Sequence, residues 1–135
     1  MNPRTLLLRG NALFLTVAAA GGLHADLRAA FFGTGPFAPV VGMAPDTAIG
    51  FVEAHGLALI FAALLWCAQP SRQWHAVGAA IHALLGGSNL VFWPLFAASG
   101  TLAVGVVTTV LHGSLLTLHT VALLSFRPAA EALRA

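Results

Sequence analysis

Four long apolar runs leave this chain little choice of solvent. Residues 5–23, 47–68, 74–97 and 102–126 are each mostly apolar over the roughly 20 residues a helix needs to cross the hydrocarbon core of a bilayer. The stretches between them carry breaker chemistry: GTGPFAP and MAPD, then QPSRQ, then ASGT. Only 7% of the 135 residues are charged, 59% are hydrophobic, and the mean hydropathy is +0.89. A soluble domain surrounds itself with about a quarter charged residues, whereas lipid tails remove that need. The expected fold is all-α: an integral membrane four-helix bundle, forming a single domain over 1–135, with an outer loop at 24–46.

Arginine placement sets the expected direction. With four spans running up-down-up-down, Arg4, Arg9, Arg72, Arg127 and Arg134 fall on one side and Arg28 alone on the other. Basic residues concentrate on the cytoplasmic side of membrane proteins. Both termini are therefore expected in the cytoplasm, with the protein in the inner (cytoplasmic) membrane. Trp66, Trp74 and Trp93 lie near span ends, where indole rings anchor at the interface. Pro128 limits the last helix. A second reading of the start takes Arg4, Arg9 and the apolar ALFLTVAAA as a signal peptide, cleaved after Ala20 or Ala25. The apolar stretch continuing past both positions favours a span.

Several function classes are unsupported. The net charge is only +2, Lys is absent and the arginines are scattered, so nothing resembles a nucleic-acid footprint. Cys67 is alone, which removes intramolecular disulfides and cysteine metal motifs. No GxSxG, P-loop or dinucleotide glycine pattern is present, and the sequence leans away from an enzyme. The implied partner is the lipid bilayer, with a homo-oligomer or a larger membrane complex open to a chain this small.

The costly residues are the polar ones inside the runs. His55, His82, His112 and His119 lie within spans, His75 begins the third, and His24 sits near the outer end of the first. Positions seven apart on a helix differ by only about 20° in direction. His75, His82, Gly86, Asn89 and Trp93 thus form one stripe, and Gly105, Thr108, His112 and His119 another. Small and polar residues on consecutive antiparallel helices suit a helix interface in lipid. Counting depth at about 1.5 Å per residue allows a cluster of His55, His82, Asn89, His112 and His119.

Glu53 lies two residues from His55, about 200° away around a regular helix. It therefore addresses another neighbour, such as His24, unless Gly50 and Gly56 distort the helix. A charged carboxylate at that depth costs about 2.5 to 3.5 kcal/mol on insertion scales. His24 and Asp26 would form an outer mouth.

Three kinds of function fit these residues. Two imidazoles on facing helices can clamp a haem or a transition metal, with His82 and His112, or His82 and His119, as the pair. Alternatively, Glu53, His55, His82 and His112 relay protons, or the site takes a small ligand. In the third reading the imidazoles only hydrogen-bond between helices in a structural or accessory membrane subunit. A faint repeat adds a hint of duplication: LHADL with Pro36 resembles IHALL with Pro94, and AHGLAL resembles LHGSLL. Spacings of 57 and 58 residues would give two parallel two-helix units.

Overall fold

A computed structural model describes residues 2–126; Arg127, Pro128 and Arg134 lie outside the described residues. Six helices follow in order: α1 (Pro3–Phe32), α2 (Ala38–Met43), α3 (Thr47–Cys67), α4 (Arg72–Val91), α5 (Trp93–Ala98) and α6 (Leu102–Leu124). Among them α1, α3 and α6 are long and apolar enough to cross a membrane. Helix α4 is comparable in length at 20 residues, but Gln73, His75, His82, Ser88 and Asn89 lower its hydropathy.

Local chemistry sets the helix limits. Asn2 accepts the Arg4 amide at 3.0 Å, capping the start of α1, with Pro3 in its first turn. No glycine or proline interrupts the chain from His24 to Phe32, so α1 runs on through residues expected as outer loop. It stops at Gly33, whose left-handed φ of 60° lets the Gly33 and Thr34 amides bond back to the Ala29 and Arg28 carbonyls. The run expected over 74–97 is split at Phe92. Pro94 has no amide hydrogen to continue the ladder, and α5 begins a new direction behind it. The Ser71 hydroxyl caps α4 by accepting the Trp74 amide at 3.3 Å.

The long helices pack as two antiparallel pairs, α1 with α3 and α4 with α6, with sparser contact between the pairs. Small residues allow the close approach. Ala12, Ala19 and Ala29 of α1 are buried, as are Ala58 and Ala62 of α3, Gly78 of α4, and Gly105 and Ala122 of α6. In lipid there is no water to expel between helices, so such close packing and interhelical hydrogen bonds supply the attraction. The first pair meets in a core of Leu8, Ala12, Leu15, Ala62, Leu65 and Ala68, against which Phe14 and, from α4, Trp74, Ile81 and Leu85 pack.

Both halves follow one plan: a long helix, a short helix with proline in its first turn, and a second long helix packed back on the first. Arginines stitch one end of the molecule. Arg9 donates to the Leu65 carbonyl at 3.2 Å, where the last turn of α3 has no amide to offer. Arg4 donates to the Ser125 carbonyl and hydroxyl, both at 3.1 Å, tying the start of α1 to the end of α6.

Candidate functional site

The seven-residue spacing of the histidines runs in opposite directions on α4 and α6, so an antiparallel pair brings them into register. His75 meets His119, with their Nδ1 atoms 3.0 Å apart, and His82 meets His112, with their Nδ1 atoms 2.9 Å apart. Asn11 of α1 sits between the two pairs. Its side-chain oxygen lies 2.9 Å from His82 Nε2 and its nitrogen 2.8 Å from His119 Nε2. Five side chains from three helices thereby form one continuous hydrogen-bonded chain: His112, His82, Asn11, His119, His75. All five are buried.

The amide orders every proton in that chain. A neutral imidazole carries hydrogen on one nitrogen and a lone pair on the other. Because the Asn11 oxygen accepts, His82 carries its hydrogen on Nε2, and its Nδ1 accepts from His112 Nδ1–H. Because the Asn11 nitrogen donates, His119 accepts at Nε2 and gives its own Nδ1–H to His75. Donation thus runs one way, from His112 through to His75. Turning the amide by 180° reverses every bond at once. Among the described residues His75 Nε2 ends the chain buried without a partner, its ring near that of Phe126, over which the Arg4 guanidinium lies at 3.9 Å.

Glycine and aromatic contacts hold the rings in place. The His119 imidazole rests on Gly78, where an added Cβ would come within 2.6 Å of the ring. An added Cβ at Gly86 would lie 3.1 Å from the His112 Cβ. Phe14 packs against both His82 and His112, with ring centroids 6.1 and 5.4 Å away.

A second polar contact joins the other pair of helices. His55 of α3 meets Asp26 of α1 with Nδ1 and Oδ2 2.5 Å apart; its ring lies flat over Gly22, where even a methyl group would overlap it. Asp26 is buried, and its second oxygen, Oδ1, has no partner among the described residues. The carboxylate orients the imidazole by its Nδ1, as carboxylates do at many functional histidines.

Not every expected member joins the main cluster. His82, His112 and His119 come together, whereas His55 bonds Asp26 alone. Asn89 stands apart, donating to the Thr108 and Thr109 hydroxyls at 3.0 and 3.2 Å. Glu53 and His24 are exposed on the outer faces of α3 and α1. No known protein family, curated protein or solved structure matches the chain. Two members of the site went unassigned from sequence. The sequence pattern puts His75 on the α4 stripe but outside the expected cluster. Asn11 lies on neither stripe, although a lone amide in the apolar run LLLRGNALFL carries the same signal as a lone histidine: a group that hydrocarbon cannot satisfy.

The nitrogen spacings bear on what the site can hold. Two imidazole nitrogens on one metal stand about 3.3 Å apart at a tetrahedral ion and about 4 Å apart across a haem iron, since each bond is about 2 Å long. The observed 2.8 to 3.0 Å contacts are hydrogen bonds, and they occupy the inward nitrogens of His82 and His119. Among the described residues no group of three or more His, Cys, Asp or Glu is arranged around a metal position. As arranged, the site can donate, accept and hold protons.

Proposed function

We propose that this chain is a four-span protein of the cytoplasmic membrane, with both termini inside, whose buried imidazoles take up and pass protons within the bilayer. Helix α4 serves as the fourth span. Its 20 residues reach about 30 Å, the thickness of the hydrocarbon core, and its His75, His82 and Asn89 turn inward toward α1 and α6. Arg4, Arg9 and Arg72 gather at the end taken as cytoplasmic, which agrees with the positive-inside rule. The observation that carries the proton reading is the two buried imidazole pairs, His112 with His82 and His119 with His75, each joined by a direct nitrogen–nitrogen hydrogen bond. Four of the five linked side chains are imidazoles, each able to carry its proton on either ring nitrogen.

Asn11 favours a second reading, in which the chain only locks three helices together. An amide donates and accepts at different atoms and does not hand a proton through, so transfer along the chain is interrupted at its centre. In the proton reading each His pair passes a proton internally, and rotation of the Asn11 amide resets the order between them.

The two readings separate in proteoliposomes loaded with a pH-sensitive dye and energised by a potassium gradient. Proton flux above that of empty vesicles, lost in His119→Gln and in His82→Gln, supports the proton reading, because glutamine retains hydrogen bonding without titrating. Flux equal to that of empty vesicles, with both variants less stable to heating than wild type, would leave the helix lock as the function.

A further inference from the structure

The imidazole chain stops just short of the arginine-rich end of the molecule. His75 lies about one turn inside the start of α4 at Arg72. Its Nδ1 is held by His119, while Nε2 is buried and has no partner among the described residues. Beside it sits Phe126, with the two ring centroids 5.8 Å apart. A phenyl ring brings no side-chain donor or acceptor, so it covers the imidazole without satisfying Nε2. Phe126 lies two residues past the end of α6, where the helical ladder no longer fixes it. Arg4, at the start of α1, holds it instead. The guanidinium lies 3.9 Å over the Phe126 ring and donates to the neighbouring Ser125 carbonyl and hydroxyl, both at 3.1 Å. Stacking and donating at once is what a planar guanidinium does and an ammonium does not.

We propose that Arg4 and Phe126 form a lid on this end of the imidazole chain, and that His75 Nε2 is the atom through which the chain exchanges protons with cytoplasmic water when the lid lifts. Phe126 covers the nitrogen. Arg4 is a positioning residue: it keeps its charge at any ordinary pH and acts by holding Phe126 down. The proposal deepens the proton reading and rests on it for what the lid controls. Two opposed tendencies make the cover movable. The Arg4 contacts close it, whereas a buried polar group without a partner is costly and water would satisfy it. Lifting Phe126 leaves the His75–His119 bond in place, so the lid can open without undoing the chain.

Diethyl pyrocarbonate, which acylates accessible imidazole nitrogens, tests both parts. It is applied to the full chain in liposomes, and each histidine is followed by mass spectrometry. In wild type the exposed His24 should react readily and His75 slowly. Arg4→Gln and Phe126→Ala should each speed reaction at His75 about 10-fold, the equivalent of one hydrogen bond in the opening equilibrium. His82 and His119 in the same samples should stay slow, because the bundle beneath the lid is intact. An acylated Nε2 takes up no proton, so the treatment should stop proton flux in Phe126→Ala and spare it in wild type. His75 as reactive as His24 in wild type, unchanged by both substitutions, or faster only together with His82 and His119, would overturn the lid. Flux that survives acylation of His75 would overturn its Nε2 as the point of exchange. Absence of flux from untreated wild type is a different result: it dismisses the proton reading, and with it any role for the lid in proton exchange.

Discussion

The most exacting test of the imidazole chain is a single methyl group. In Gly78→Ala the new Cβ would lie 2.6 Å from Cε1 of His119 and 2.7 Å from both ring nitrogens. Ordinary contact begins about 1 Å further away, since carbon atoms settle at roughly 3.5 to 4.0 Å. The ring has nowhere to retreat: it is 0% exposed, and its two nitrogens are held by His75 and Asn11. Either α4 and α6 separate, or both hydrogen bonds break. Forced overpacking costs about 1 to 3 kcal/mol, and two interhelical bonds in lipid add about 1 kcal/mol together. Replacing a helical glycine by alanine returns about 1 kcal/mol, leaving a net loss of about 1 to 3 kcal/mol. Gly87→Ala is the control, because nothing lies within 4 Å of its added Cβ and only the propensity gain remains. Thermal unfolding in detergent micelles, followed by circular dichroism, should place Gly78→Ala below wild type and Gly87→Ala at or above it. A Gly78→Ala protein as stable as wild type would refute the placement of His119 on α4.

Tautomers give a second check that does not depend on which way the Asn11 amide points. In either order His75 and His82 carry hydrogen on the same ring nitrogen, and His112 and His119 both carry it on the other. Nitrogen-15 NMR of histidine-labelled protein should find that pairing, and His82 sharing the tautomer of His119 would break the chain. In Gly22→Ala the new methyl drives the His55 ring off α1 and leaves the buried Asp26 without its one partner. An unsatisfied buried group costs about 1 to 3 kcal/mol, more for a charged one. Gly22→Ala should thus unfold at a lower temperature than Gly21→Ala, whose added Cβ meets nothing within 4 Å; the reverse order would dismiss the His55–Asp26 contact.

Much of this arrangement was legible because period and topology cooperate. Histidines seven apart on two runs that the ASGT break turns back on each other fall into facing pairs, and both conditions are visible in the letters; α5, which lies between α4 and α6, leaves that register intact. Asn89 with Thr108 follows from the same stripes. The partner of His55 was less accessible. Asp26 lies in a stretch expected as outer loop, so its encounter with α3 depended on α1 continuing to Phe32. Asn11 was hidden for a different reason. Its contacts with His82 and His119 span 71 and 108 residues and cross between the two helix pairs, where no short turn fixes the register. Glu53 was the reverse case, since its expense pointed inward while its helical phase placed it outside.

The reach of Asn11 also imposes an order on how the molecule comes together. Its amide leaves the ribosome 108 residues ahead of His119, an interval of about 5 to 20 s at ordinary synthesis rates. Its oxygen gains His82 once α4 is made, 71 residues on, but its nitrogen stays bare throughout that interval and in any nascent chain cut short before α6. The first half of the protein is thus born with an unsatisfied group whose partners belong to the second, so assembly is complete only when the last helix has been made.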